Sequence, residues 1–206
     1  MRVAAADSRR IRRGGVRLLG PVDELLFEPI ARHIALREPL LEPDPALRQA
    51  AVALVLAPRS GALEVLLIRR AERAGDPWSG QMGLPGGHRE AHDADLLATA
   101  VRETREELGL DLAAARHLGT LEELRPVIRP LAVRPFVFGL ATLPAVVPGP
   151  EVHSVRWTRL DALAAARSST EVFHHGELRT MPCYRLGADV VWGMTYRILE
   201  PFVARL

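Results

Sequence analysis

Apolar positions along this chain change their period several times, and each change marks an element. Over residues 21–37 they recur at helical spacing, with Leu25, Leu26, Ile30 and Ile34 on one side and Ala31 at its margin. Residues 38–45 hold three prolines and read as a linker. Two Val- and Leu-rich runs follow, 50–56 and 63–68. The Pro58, Ser60 and Gly61 turn between them predicts a β-hairpin or a pair of neighbouring strands. Residues 71–93 carry Gly75, Pro77, Gly80, Gly83, Pro85, Gly86 and Gly87, a long loop of the kind that usually serves function. A helix is predicted over residues 95–108, with Leu97, Val101, Thr104 and Leu108 as its buried stripe and Gly109 as its stop. Strands are predicted at 117–124, 133–140, 152–158, 178–184 and 190–192. Helices are predicted at 160–167 and 193–204. No internal repeat or low-complexity tract is visible. The alternation predicts a mixed α/β sandwich, with an N-terminal arm and helix in residues 1–45 and one α/β domain in residues 46–206.

Composition narrows the class without naming it. The 206 residues are 48% apolar and 25% charged, ordinary for a globular chain of about one domain. Cys183 is the only cysteine, which excludes an internal disulfide and a cysteine-rich zinc site and suits a reducing, cytoplasmic setting. The net charge is only +2. Arg9, Arg10, Arg12 and Arg13 form a local basic run that reads as a solvated arm. Without an aromatic platform or a recognised motif, no nucleic-acid partner is expected. No apolar run approaches the ~20 residues that span a bilayer, and the first thirty residues hold no unbroken apolar segment of the secretory kind. No membrane partner is expected either.

The chemistry concentrates between Leu84 and Leu110. Glu103 and Glu107 are one helical turn apart, Glu106 lies beside them, and Arg102 can pair with Glu106. Like charges so spaced repel by a few tenths of a kcal/mol, roughly, per pair. A hard divalent cation such as Mg²⁺ or Mn²⁺ would turn that repulsion into a site. Gly86 and Gly87 let backbone approach a metal or a phosphate with no Cβ in the way. The glutamates alone read as a solvated acidic face. Joined to the Pro-Gly-Gly loop, the Arg-Glu pair and the terminal glycine, they point to metal-assisted hydrolysis.

The segment resembles the Nudix box, whose pattern is Gly, five residues, Glu, seven residues, Arg-Glu-apolar-any-Glu-Glu-any-Gly-apolar. Gly87, Arg102, Glu103, Glu106, Glu107, Gly109 and Leu110 match it. Thr104 fills the apolar slot, Asp93 stands where the box has Glu, and the following gap is eight residues, which leaves Asp95 as a competitor for the loop carboxylate. The resemblance implies an α/β/α sandwich and hydrolysis of a diphosphate in a nucleotide derivative with Mg²⁺ or Mn²⁺. It implies Glu103 and Glu107 as metal ligands, Glu106 as a third ligand or a supporting carboxylate, Gly87 backbone at the metal, and Arg102 orienting the glutamates. The general base varies in the family; Glu103, Glu122, Glu123 and Glu151 are candidates here.

A finer resemblance is to the coenzyme A diphosphatase branch. It is carried by Leu66, Leu67, Arg70, Ala71, Gly80 and Leu84-Pro85-Gly86-Gly87, by the run from Thr99 to Thr104, and by Val191-Trp192-Gly193-Met194-Thr195. It implies coenzyme A or acyl-coenzyme A as substrate. Arg69 and Arg70, with Arg73, are candidate phosphate ligands, since guanidinium forks match phosphate oxygens. Trp78 either stacks on a base or pins the loop, and the pair His174-His175 reads as a loop feature. The family also admits ADP-sugars, dinucleoside polyphosphates and nucleoside triphosphates as substrates, and homodimers. A silent nucleotide-binding sensor is the alternative of another class, and the three retained glutamates count against it.

Overall fold

A computed structural model describes residues 21–35, 44, 46–75, 78–126, 130–174 and 177–204. The basic run at Arg9–Arg13, most of the proline linker and His175 lie outside the described residues.

The segment most apolar in sequence becomes the centre of the fold. β1 (Arg48–Arg59) runs parallel to β6 (Leu131–Gly139) along its length and antiparallel to β2 (Ala62–Arg70), so the expected hairpin forms at Pro58–Gly61. Strands covered on both faces lose the in/out alternation and read as continuous apolar runs, as β1 does from Ala53 to Ala57, each fully buried. Short strands β3 (Met82–Gly83) and β4 (Gly86–His88) pair with β2 and β1. β5 (Arg116–Thr120) joins β6, and β7 (Val152–Arg159) joins β2, completing a seven-stranded mixed sheet. The expected strand at 117–124 is shorter: its register shifts between His117 and Gly119, and Leu124 contributes an isolated bridge to Val133.

Alternate side chains of β1 and β2 feed two cores. Leu54, Leu56, Val65 and Leu67 face α1 (Pro21–Ala35), α3 (Leu160–Ala165) and α4 (Gly193–Val203), while Ala51, Ala53, Val55, Leu66 and Ile68 face α2 (Leu96–Leu108). The result is an α/β/α sandwich, the expected class. A separate sheet, ordered β10 (Asp189–Trp192), β9 (Glu177–Leu186), β8 (Arg167–His174), lies beside it. Among the described residues no helix is long and apolar enough to cross a membrane.

Two helix faces differ from expectation. In α1 the buried stripe is Phe27, Ile30 and Ile34, and Leu25 is 70% exposed. Phe27, one turn before Ile30, carries a larger apolar side chain than either leucine, and the helix turns so as to bury it. In α2 the buried positions are Leu96, Thr99, Ala100, Thr104, Glu107 and Leu108, with Leu97 and Val101 half-buried at the flank. That rotation carries Glu107 inward. β8 was not expected at all, because Ser168, Ser169 and Glu171 interrupt its apolar positions; its ladder with β9 makes it a strand.

Candidate active site

The glutamate helix is fixed at both ends before any charge interaction is counted. Asp95 caps its N-terminus, accepting the Ala98 N–H at 2.8 Å. Gly109 ends it in the left-handed conformation (φ 61°), its N–H bonded to the Arg105 carbonyl. The last carbonyls of a helix lack intrahelical donors. Here Val147 and Gly149 supply them, donating to the Leu108 and Glu107 carbonyls at 2.9 and 2.7 Å. A side chain at Gly149 would strike the Glu106 carbonyl at 2.8 Å. This backstop was not read from the sequence, although Pro148-Gly149-Pro150 is its signal. Thr104 fits its apolar slot by donating its hydroxyl to the Ala100 carbonyl at 2.7 Å.

Arg102 is the hub. Its fork grips Asp93 in two bonds, Nε to Oδ1 at 2.9 Å and Nη2 to Oδ2 at 3.0 Å. Nη2 also donates to the His88 carbonyl at 3.0 Å, while Nη1 reaches Glu103 at 2.9 Å and Glu106 at 3.0 Å. Asp93 is 6% exposed and further accepts the Glu90 N–H and the Thr99 hydroxyl, each at 2.9 Å. The Arg102 hydrogen bonds, first of all, hold its carboxyl well below the usual carboxylate range. Of the two candidate loop carboxylates, Asp93 therefore anchors the arginine and Asp95 caps the helix.

β4 brings its two glycines under this helix. The Gly86 N–H donates to Glu107 Oε2 at 2.9 Å. Gly86 has φ +149°, and a Cβ there would collide with the Ala51 and Val52 backbone. A Cβ on Gly87 would lie 2.5 Å from the Glu103 carboxyl carbon. Glu107 is 4% exposed. Burial, above all, pushes its carboxyl up to about 7, with Glu103 and Glu151 adding to the rise and Gly86 and Arg70 opposing it. Glu103 is also raised, chiefly by burial, with Glu106 and Glu151 contributing and Arg102 opposing. Three carboxylates, of Glu103, Glu107 and Glu151, thus share one field.

The donor set suits a hard cation in one particular way. Among the described residues no three His, Cys, Asp or Glu side chains could hold a metal ion unaided. Glu103 and Glu107 beside a Cβ-free backbone match Mg²⁺, which takes one or two carboxylates and fills its octahedron with waters and substrate phosphates. Glu106 stands aside, its side chain 60% exposed and bonded to Arg102.

The distant candidates separate clearly. Glu151, bonded to Arg73 at 3.1 Å, lies near enough to act on both site glutamates. Glu123 is buried and held by Arg134 at 2.9 Å and Arg125 at 3.2 Å, and Glu122 is exposed. Adjacent strand residues point to opposite faces, so the two candidate arginines part. Arg70 lies on the α2 face, within electrostatic reach of Glu107, and Arg69 points the other way, 4.0 Å from Asp189. Trp78 is half-buried, and its carbonyl accepts the Gln81 N–H at 3.1 Å.

Comparison with known proteins bears on this arrangement. A family model described as the NUDIX domain matches residues 47–176. An uncharacterized protein of Schizosaccharomyces pombe is 33% identical over 159 residues, covering 65% of this chain and 48% of that one. The Homo sapiens protein named mitochondrial coenzyme A diphosphatase NUDT8 is 33% identical over 159 residues, covering 73% of this chain and 66% of that one. The chain thus spans about half the length of the first relative and about two thirds of the second. A solved MutT/nudix family protein from Enterococcus faecalis superposes with a TM-score of 0.51 at 17% identity, over 91% of this chain and 73% of that one, a similarity of fold alone.

Proposed function

This chain belongs to the Nudix family, and from that membership we propose that it is a hydrolase, dependent on Mg²⁺ or Mn²⁺, that cuts the diphosphate linkage of a nucleotide derivative with water. The observation that carries the proposal is the closure of the Gly86-Gly87 strand on Glu103 and Glu107, with Arg102 and Asp93 locking the helix in that position.

Glu103 and Glu107 would hold the cation, with the Gly87 backbone as the neighbouring Cβ-free surface. When bound, the metal neutralises charge that develops on the phosphoryl oxygens. Arg102 orients Glu103, and Glu106 acts through Arg102. Glu151, positioned by Arg73, takes the proton from the attacking water; it is the distant glutamate whose charge reaches both site carboxylates. Arg70 offers the substrate a guanidinium on the same face, while Arg69 serves Asp189.

The preferred substrate is coenzyme A or an acyl-coenzyme A, cleaved to 4′-phosphopantetheine and 3′,5′-ADP. Support comes from the segments around Arg70, Leu84–Gly87 and Trp192, and from the name of the human relative. A reducing, cytoplasmic setting suits the buried free thiol of Cys183. The test is a panel of coenzyme A, acyl-coenzyme A, ADP-ribose, diadenosine polyphosphates and nucleoside triphosphates with Mg²⁺ or Mn²⁺, products resolved by chromatography. Release of 3′,5′-ADP is expected. Cleavage of another diphosphate would keep the hydrolase and reject coenzyme A, and binding without cleavage would reject the hydrolase.

A further inference from the structure

The β8–β9 hairpin leaves the body of the protein. On β8, Arg167, Ser168, Ser169, Glu171 and Phe173 are exposed, as are the first four residues of β9. Phe173 and Leu178 sit directly opposite each other, yet they are 77% and 63% exposed. The face carrying Ser169, Glu171 and Phe173 is bare, and on the other Thr170, Val172 and Met181 are only half-buried; a two-stranded ribbon so little covered is marginal in water.

Its free edge is unusually open. β8 ends the order β10-β9-β8, with no strand beyond it among the described residues. Natural edge strands are blunted by charged side chains, proline or a bulge that blocks further pairing. β8 has no proline and no bulge, its register with β9 being unbroken from Arg167 to His174, and the charges it does carry, Arg167 and Glu171, are of opposite sign. The phase of the ladder is set by the bond from the Arg185 N–H to the Ala166 carbonyl at 2.9 Å. Antiparallel pairs alternate between bonded and non-bonded. Ser168, Thr170 and Val172 therefore bond to β9, while Arg167, Ser169, Glu171 and Phe173 turn their N–H and C=O groups outward. Pro182 opposite Ser169 agrees, since a proline has no N–H for a bonded position. Arg185 reaches the Ser169 carbonyl at 3.1 Å, and that oxygen keeps a second lone pair.

We propose that this edge is a homodimer interface, in which two copies pair their β8 strands antiparallel about a twofold axis through Ser169. The charges select both the occupant and the register. A twofold at Ser169 sets Arg167 of each copy opposite Glu171 of the other, and directly opposed unlike charges stabilise a strand pair. A twofold at Glu171 would oppose that carboxylate to itself. Self-complementarity of this kind is what a twofold interface demands. Arg167 also lies 3.5 Å from Glu200 in its own chain, and its five donors can serve both carboxylates. The joined sheets supply the neighbour that the ribbon lacks.

Sedimentation velocity of the purified full chain across the micromolar range tests this, with far-UV circular dichroism and thermal melts to verify folding. The wild type is expected to dimerise. Ser169→Pro removes an outward N–H without touching the β8–β9 ladder, and Glu171→Arg opposes like charges across the axis. Each should weaken association at least tenfold, and Arg167→Glu combined with Glu171→Arg should restore it. A wild type that stays monomeric overturns the proposal, as does a dimer that both single variants leave intact.

Discussion

Glu103 occupies the space that any side chain on Gly87 would need. A Cβ there would meet its carboxyl carbon at 2.5 Å. At Gly86 the obstacle is backbone of β1. The two glycines are adjacent, yet their substitution should have different consequences. Gly87→Ala meets the end of a side chain, so the protein should fold with Glu103 displaced; misplacing a catalytic group by ~1 Å costs about 100-fold in rate. Gly86→Ala should lower the melting temperature instead, because strand pairing itself must shift. Melting curves and turnover of both variants check this, and normal turnover in Gly87→Ala would remove Glu103 from the site.

Glu107 links activity to pH and to metal. Its carboxyl is raised from 4.5 to about 7, chiefly by burial. Between those values the folded, metal-free protein holds a proton that the unfolded chain has released, so this group's contribution to stability falls as pH rises through that window. Metal-free wild type should therefore lose melting temperature relative to Glu107→Gln as pH rises from 4.5 to 7. Saturating Mg²⁺ should close the gap. The same variant should keep its fold, since the amide oxygen can still accept the Gly86 N–H, and lose turnover by orders of magnitude. Equal pH profiles for the two proteins in a metal chelator would contradict the assignment.

Asp93 carries the opposite sign. Its carboxyl is depressed by Arg102, so the stability it contributes is full above the ordinary carboxylate pKa and disappears as pH falls through its lowered folded value. Asp93→Asn halves the grip on a guanidinium that is itself only 14% exposed. Removing one partner of such a buried pair costs about 3 kcal/mol. Denaturant unfolding at neutral pH should read that loss, and the gap between the two proteins should shrink in strong acid.

Arg70 shares a face with Glu107, whereas Arg69 does not. If Arg70 grips a phosphate away from the bond that breaks, Arg70→Ala should raise KM several-fold with little change in kcat, and Arg69→Ala should do neither. Steady-state kinetics on the substrate found by the panel decides it. A fall in kcat at unchanged KM would move Arg70 to the reacting centre.

Much of this molecule was legible in one dimension, because its determinants are local. Apolar runs too continuous to be half-exposed marked β1 and β2, and the Pro58–Gly61 turn marked their hairpin. Gly109 marked a helix end because few other residues adopt that conformation. The spacing of Glu103, Glu106 and Glu107 placed them together, since helical periodicity alone brings such residues onto neighbouring positions.

What remained needed contacts between segments far apart in the chain. The helical pattern pointed to Leu97, Val101, Thr104 and Leu108 as the buried stripe of α2, and the fit of Leu96, Ala100 and Leu108 against the sheet turned the helix to a face that also buries Glu107. Asp93 and Asp95 were equivalent as a sequence and differ completely once one meets Arg102 and the other a helix terminus. Glu151 and Glu123 were interchangeable acidic residues until the sheet carried the first toward the site glutamates and the second between two arginines. Strand alternation separated Arg69 from Arg70, and only pairing with β9 made β8 a strand at all. Local propensity determined which elements could form. Burial of their apolar faces against one another decided which of the polar groups they carry ended up sharing a site.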